Sequence, residues 1–517
     1  MVVKFDITAE DKLPWQQLSA GWWVGHVYSD RHWLTIAEIE QALSDIQSLE
    51  DLKTLLAKWN GHFALLWSVG TVHFAVTDIA RSYPIFWNTS PTQTTISARA
   101  DESSSEISWW QHHKSLVQTE FVPGHATLWH GWQQLQAGEI LEVKNNLCYL
   151  HNYFPHRRPK PVSTDRQQHS TAFNQVLERI FQRLIAYAKN RPIVVPLSGG
   201  YDSRIILAGL HRLGYTNLKA FTYGSPGSEE VQLAEKVAQT LGIDWAFVPY
   251  TRELLDQFGD EDWQAFASFA ARAVALPQEQ DYFALRSLRE QDWLPAGSII
   301  CPGYCGDFQA GSYLPTPGIP WPPNRKRRLQ EKLLARFVRD AKADLRQLWL
   351  PLLPQAEIAN DEEYISELEH WVLREYVSKY IVNGVRAYEW ADCQWHLPLW
   401  DREFIEFWQS TPNEWRENMH LYREVLREHW FEPYDIAFAE DQAATTPVFS
   451  PGQWLPPQWK KKLKSYLPEQ PTTNVNGLEY LIPLIQQQLN WPRTDLSKSV
   501  NEMIGHWYHD FLNKKNL

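Results

Sequence analysis

Between residues 193 and 241 the chain changes its hydrophobic period in a regular order. Ile193-Val194-Val195-Pro196-Leu197 is a short apolar run that suits a buried strand, and Ile205, Ile206, Leu207, Leu210 and Leu213 then recur at helical spacing until Gly214 ends the pattern. Residues 218–224 read as a second strand closing on a glycine, and Glu229 and Glu230 open a helix over residues 231–241. Strand, helix, strand, helix predicts a parallel sheet with ligands at the carboxyl ends of its strands. Residues 299–307 add another strand, which leads into a Gly-rich turn carrying an acid.

The first third of the chain has a different texture. Residues 59–67, 72–76, 77–87, 121–125 and 135–139 alternate apolar positions with regular turns, which predicts a mostly β layer. The proline- and arginine-containing stretch 154–161 marks a domain boundary ahead of a long helical pattern from near Gln168. Two domains follow, 1–160 and 165–517. Residues 313–323 carry five prolines and are expected to form a loop beside the acidic turn, where substrate choice could sit. Residues 329–350 read as a helix, and after the prolines of 447–457 the last 60 residues are expected to pack as peripheral helices.

Chemistry concentrates where the first strand meets its helix, at Leu197-Ser198-Gly199-Gly200-Tyr201-Asp202-Ser203. The glycines let the backbone turn sharply, so that amides and the hydroxyls of Ser198 and Ser203 can face phosphate oxygens near a helix N-terminus. Asp202 is out of place at a bare anion site. Its carboxylate makes sense if the phosphates arrive with Mg2+. No Gly-Lys-Ser/Thr follows, so this is not the Walker loop, and a plain Gly-rich turn is the alternative.

The heptad resembles the PP-loop of the ATP pyrophosphatases, and the surrounding chain looks like the asparagine synthetase family. That resemblance implies an α/β and α+β chain of two domains. The first is an N-terminal Ntn-hydrolase-like β-sandwich, and the second a C-terminal adenine nucleotide alpha hydrolase-like parallel sheet with helices. It implies ATP and Mg2+ as cofactors, with Leu197, Ser198, Gly199, Gly200, Asp202 and Ser203 around the pyrophosphate. Backbone groups of Phe221, Thr222 and Tyr223 would hold the adenine. Gly303 belongs to the second motif, and Asp202 and Asp307 would be the metal ligands. Tyr304 stands where asparagine synthetases usually carry glutamate and is closer to β-lactam synthetases, in which a tyrosine helps deprotonate the attacking amine. A phenol of pKa about 10 does so only if neighbours lower its pKa or hold its proton, and a packed tyrosine with a satisfied hydroxyl is the alternative.

Residues 378–389 and 395–401 resemble the helix and the proline-aromatic-aspartate turn of asparagine synthase-related proteins from bacterial surface-polysaccharide gene clusters. They offer Glu389 as a catalytic candidate, although Arg386 and Glu389 could equally form an i,i+3 ion pair. Two departures weigh against a standard member. The lysine that family members place after the C-terminal helices, to stabilise charge on the α-phosphate, is missing from residues 438–447, which leaves Lys379 as the nearest candidate by sequence. The cysteine that glutaminase domains expose as residue 1 has no counterpart at Met1-Val2-Val3-Lys4, and Cys148 is far away, so no glutaminase activity is expected.

Bulk composition narrows the class further. With 517 residues, 44% hydrophobic and 21% charged, the chain has ample length for a full core. Its net charge of -12 argues against nucleic acid or an anionic membrane as partner. No apolar run nears the roughly 20 residues that span a bilayer, no signal peptide precedes Lys4-Phe5-Asp6, and the four cysteines lack metal spacing, all of which suits a cytoplasmic protein. The 27 tryptophans show no repeat and are expected in cores and interfaces. The basic cluster Asn324-Arg325-Lys326-Arg327-Arg328 reads as a solvated helix start.

The expected function is an asparagine synthetase-like amide ligase. Mg-ATP would adenylate a carboxylate, aspartate by default, giving AMP and pyrophosphate, and ammonia or an acceptor amine would attack. One alternative is amidation or cyclisation of a sugar, a peptide or an intramolecular amine. The other is a non-catalytic nucleotide-binding protein. A homodimer is left open.

Overall fold

The computed structural model describes residues 2–7, 12–29, 32–100, 116–117, 119–145, 147–155, 165–315, 324–338, 346–347, 349–438, 477–490 and 499–515. Their strands form three sheets.

The first eleven strands are β1 (Val2–Asp6), β2 (Gln16–Leu18), β3 (Gly21–Ser29), β4 (His32–Trp33), β5 (Asn60–Val69), β6 (Val72–Thr77), β7 (Phe86–Thr89), β8 (Gln93–Ser97), β9 (Trp132–Gln134), β10 (Glu139–Lys144) and β11 (Leu147–Asn152). One sheet runs β1-β8-β7-β9, and a larger one runs β11-β10-β6-β5-β3-β2 with β4 paired to β3. The period-two pattern explains how they stack. On β5, Phe63, Leu65 and Trp67 pack with Ile39, Leu43, Leu52 and Leu56 of the helices Ile36–Ser44 and Leu49–Lys58. The alternate residues Ala64 and Leu66 join Phe86, Trp87 and Ile96 of the smaller sheet. Because both faces are covered, residues 62–67 are buried without a break.

The third sheet is wholly parallel, in the order β14 (Asp244–Pro249), β13 (Leu218–Gly224), β12 (Ile193–Pro196), β15 (Ile299–Ile300), β16 (Gln394–Trp395). Ile193 and Val195 face the helices Arg166–Ala188 and Tyr201–Arg212, while Val194 points into the core on the other side. Several bounds move relative to the sequence reading because capping residues set them. Asp165 accepts two amides and starts its helix at Arg166, and Ser228 starts the next at Glu229. Asn324 caps a helix at Arg325, which ends at Phe337 rather than running to 350, and Leu350–Leu352 is a 3-10 turn that follows helical residues at 346, 347 and 349. Strand β16 was not foreseen, since two residues ahead of a proline turn carry no periodic signal. The boundary stretch beyond 155, the proline loop beyond 315, parts of 339–348 and the proline-rich 447–457 lie outside the described residues.

The N-terminal sheets are joined to the C-terminal helices by buried polar links. Glu375 accepts from the Gly124 amide at 2.9 Å, from Gln136 Nε2 at 2.6 Å and from Lys379 Nζ at 2.5 Å, and Lys379 also donates to the Gly124 carbonyl at 2.7 Å. Beside them Arg374 pairs with Glu139 at 2.6 Å, and His125 lies 2.9 Å from the same carboxylate. Burial works against the Glu139 charge, yet His125 and Arg374 hold its pKa down to about 2. A folded-state value below the unfolded value of about 4.3 contributes stability above that pH, which is lost as pH falls through 2. Urea unfolding at pH 7 should therefore find Glu139→Gln weaker by about 3 kcal/mol, with the gap closing towards pH 2. A gap independent of pH would remove this assignment.

The tryptophans go mainly to the interior, where Trp23, Trp263, Trp349, Trp400, Trp408 and Trp430 are fully buried. The basic cluster is spent on surface pairs such as Arg325 with Asp361 and Lys326 with Glu357. Near the C-terminus, Leu481–Gln488 and Val500–Lys515 are helices, and Trp507 packs on Phe258. Among the described residues no helix is long and apolar enough to cross a membrane.

Candidate active site

The strand end at β12 and the loop after it are pinned to β13. Leu197 donates its amide to the Phe221 carbonyl at 2.7 Å, and the Thr222 hydroxyl donates back to the Leu197 carbonyl at 2.8 Å. The loop then folds on its own hydroxyls. The Ser198 amide donates to Ser203 Oγ at 3.0 Å, the Gly200 amide donates to Ser198 Oγ at 3.2 Å, and the two hydroxyls lie 3.0 Å apart. Gly200 is the N-cap of the helix Tyr201–Arg212 and brings no side-chain cap of its own. Gly200, Tyr201, Asp202 and Ser203 all line the cleft, so a helix N-terminus without a side-chain cap borders it, as an anion site requires.

The turn after β15 packs directly on that helix start. A methyl on Gly303 would lie 2.5 Å from the Ser203 nitrogen and 2.9 Å from the Asp202 carbonyl carbon, so only glycine permits this approach. Cys305 takes a positive φ of 69° in the same turn. The result brings two acids together. Asp307 donates its amide to Asp202 Oδ2 at 2.9 Å, and Tyr422 donates its hydroxyl to Asp202 Oδ1 at 2.7 Å. Burial, followed by the charge of Asp307, pushes the Asp202 carboxyl up towards neutrality.

These groups line a cleft of about 500 Å³, with Ser198, Gly200, Asp202, Ser203, Tyr223, Gly303, Tyr304 and Asp307 among its walls. Leu197, Gly199, Phe221 and Thr222 stand behind that lining. Thr222 is buried and accepts from Trp245 Nε1 at 2.9 Å. Tyr223 reaches the cleft and stacks on Tyr250, with ring centroids 4.9 Å apart.

Two expected residues are not brought to the cleft. Lys379 is fully buried in the Glu375 link described above, and burial lowers its ammonium pKa to about 8. Glu389 pairs with Arg386 at 2.8 Å and accepts from Trp395 Nε1 at 2.9 Å, so the i,i+3 ion pair is what forms. In place of Lys379 the cleft carries Arg423, from the helix His420–Leu426 that also brings Tyr422. Beyond Phe438, the stretch read as missing its lysine lies outside the described residues.

The sequence reading also missed Asp281, Tyr388, Tyr422 and Arg423. Tyr304 is half-buried, its hydroxyl 3.1 Å from that of Tyr388 and 3.4 Å from Asp281 Oδ2. Burial and then the charge of Asp281 push the Tyr304 phenol well above 10. Asp281, Tyr388 and Tyr422 lie 23 to 220 positions from their partners, and none of the missed residues carries a local motif, so only the fold assembles them.

The comparison that decides the family covers this assembly. A family model described as asparagine synthase matches residues 173–434, from the helix before β12 through the segment that supplies Tyr422 and Arg423. The chain belongs to the asparagine synthase family. Membership supports an ATP-dependent amide ligase as the class. No curated protein matches the chain significantly. Among solved structures, it is similar to an NH3-dependent NAD synthetase from Campylobacter jejuni in complex with the nitrate ion, at 16% identity. That likeness covers 29% of this chain and 62% of the synthetase, with a TM-score of 0.20. It is also similar, at 10% identity, to a glutamine phosphoribosylpyrophosphate amidotransferase from B. subtilis complexed with ADP and GMP. There 48% of this chain and 74% of the other are covered, with a TM-score of 0.19.

Proposed function

We propose that this asparagine synthase family member joins a carboxylate to an amine at the expense of ATP, releasing AMP and pyrophosphate. The observation that carries the reading is the meeting of the Ser198–Ser203 loop with Asp202 and Asp307 in one cleft. Amides of the helix start and the Ser198 and Ser203 hydroxyls hold phosphate oxygens, and Tyr223 lies along the nucleotide beside the end of β13. Two facing carboxylates, one with its acidity suppressed first by burial and then by the other, fit a hard divalent cation with oxygen ligands, and Asp202 and Asp307 would hold Mg2+. When bound, the ion neutralises charge on the phosphates. Arg423 is the cation that the described residues bring to the same walls.

A carboxylate oxygen attacks the α-phosphorus and pyrophosphate leaves. The amine nitrogen then attacks the acyl carbon, the bond to AMP breaks with its electron pair on the phosphate oxygen, and the amine gives up a proton. Tyr304 stands next to that step, with Asp281 and Tyr388 on its hydroxyl. Residues 1–160 serve as a structural, Ntn-like domain and 165–517 as the catalytic one, in a cytoplasmic enzyme whose acceptor is a small molecule, a sugar or a peptide.

Glutamine is not the nitrogen donor in this reading. The thiols of Cys301 and Cys305 are buried with their acidity suppressed, that of Cys393 is pushed up to about 12, and Cys148 is on β11 beside Thr89. Burial thus works against a thiolate nucleophile at Cys301, Cys305 and Cys393. The purified protein should release no glutamate from glutamine above background, and enzyme-like release would count against this point.

The test of the ligase reading is phosphorus NMR of Mg-ATP incubated with the protein, an amine and a panel of carboxylates. AMP with pyrophosphate is the expected product pair. ADP with phosphate would refute it, and nucleotide binding without any AMP would leave a nucleotide-binding protein instead.

A further inference from the structure

We infer that the tyrosine side of the cleft is a seat for an ammonium group, carried by NH4+ or by a primary alkylamine, with Asp281 as its counter-ion. The inference rests on the ligase reading and names the form in which the nitrogen nucleophile is received.

Asp281 lines the cleft and is 6% exposed. The Tyr388 hydroxyl donates to its Oδ2 at 2.5 Å, the Tyr304 hydroxyl stands 3.4 Å from the same oxygen, and Tyr223 also hydrogen-bonds the carboxylate. All of these are neutral phenols. Other buried carboxylates have a cation, among them Asp401 with Arg183, Glu369 with Arg416, Glu389 with Arg386 and Glu375 with Lys379, whereas Asp78 accepts from three backbone amides and Glu279 has no ion pair among the described residues but does not line the cleft. Asp281 has no ion pair among the described residues. A carboxylate withdrawn from water without a counter-charge is costly, and a wall of an open cleft is where a ligand can supply the missing charge. The hydroxyl oxygens of Tyr223 and Tyr304 beside it can accept from the N–H groups of an ammonium, and an acid with such acceptors suits an ammonium better than an anionic group.

The family segment at Asn383-Gly384 is shaped to this arrangement. A methyl on Gly384 would lie 2.7 Å from the Tyr304 hydroxyl and 2.5 Å from Gln278 Oε1. Glycine there lets the Tyr304 hydroxyl sit where it meets Tyr388 and Asp281.

The experiment follows thermal unfolding of the full chain at pH 8 and constant ionic strength, with and without Mg-ATP. The probes are ammonium chloride and n-propylammonium chloride, with potassium chloride and n-propanol as controls. A ligand that binds only the folded state raises the midpoint in a saturable way. At least one ammonium probe should do so in the wild type while both controls do not, and whichever binds more tightly identifies the source. Asp281→Asn should weaken that binding at least tenfold, and Gly384→Ala, which crowds the Tyr304 hydroxyl, at least about fivefold. The second variant decides the matter should the first not fold. No saturable effect in a wild type that does respond to Mg-ATP, or an effect unchanged in the variants, overturns the inference and leaves the ligase reading standing. An ammonium effect in a protein that ignores Mg-ATP keeps the seat and overturns the ligase reading.

Discussion

Asp202→Asn is expected to cost about three powers of ten in Mg-ATP turnover while leaving the fold at least as stable as the wild type. If Asp202 helps to hold Mg2+ as proposed, losing its carboxylate removes several kcal/mol of charge stabilisation from phosphate chemistry, and each 1.36 kcal/mol is tenfold in rate. The stability side has the opposite sign. Asp202 is held next to Asp307 by the Asp307 amide and Tyr422, and burial with that neighbouring charge raises its pKa. A folded-state acid raised above its unfolded value costs stability as pH climbs through that interval. The isosteric amide keeps its oxygen for the Asp307 amide, turns its NH2 to the Tyr422 hydroxyl, which can accept, and drops the charge. Unfolding midpoints without ligand should therefore be equal or higher for the variant at pH 8, and the gain that Mg-ATP gives the wild type should vanish. A variant that loses turnover because it is unfolded, or one that keeps the Mg-ATP gain, would contradict this account.

Lys379→Met should destabilise the protein by about 3–5 kcal/mol in urea unfolding, the penalty of leaving one member of a buried ion pair uncompensated. Its ammonium is fully buried and spends itself on Glu375 Oε2 at 2.5 Å, the Gly124 carbonyl at 2.7 Å and the Val122 carbonyl at 3.3 Å. These are the contacts that fasten the N-terminal sheets to the C-terminal helices. Adding Glu375→Leu should recover part of the loss, because the two effects are coupled through one contact. A cost under about 1 kcal/mol would mean that the pair contributes little to the junction.

Legibility followed the distance between partners along the chain. The strand 218–224 appears as read, and the strands at 193 and 299 and the turn between Ser198 and Ser203 come from local patterns, whereas the approach of Asp307 to Asp202, 105 positions away, was expected only through the family resemblance. The two-faced β5 and its flanking strands likewise wrote their packing into an apolar run. Lys379 was beyond reach by the same logic, since a buried lysine is identified only by the carboxylate and carbonyls around it. Asp281 stands at the start of the helix Tyr282–Glu290 with no motif around it. Its setting exists only once Tyr223, Tyr304 and Tyr388 converge from three separate elements, two of them strand-end segments and one a helix.

Calorimetric titration of the full chain with Mg-ATP, repeated with EDTA and with competing pyrophosphate, tests the central claim most directly. One site per chain, lost on removing magnesium and competed by pyrophosphate, is the predicted result. No binding, or binding indifferent to both magnesium and pyrophosphate, would contradict the account.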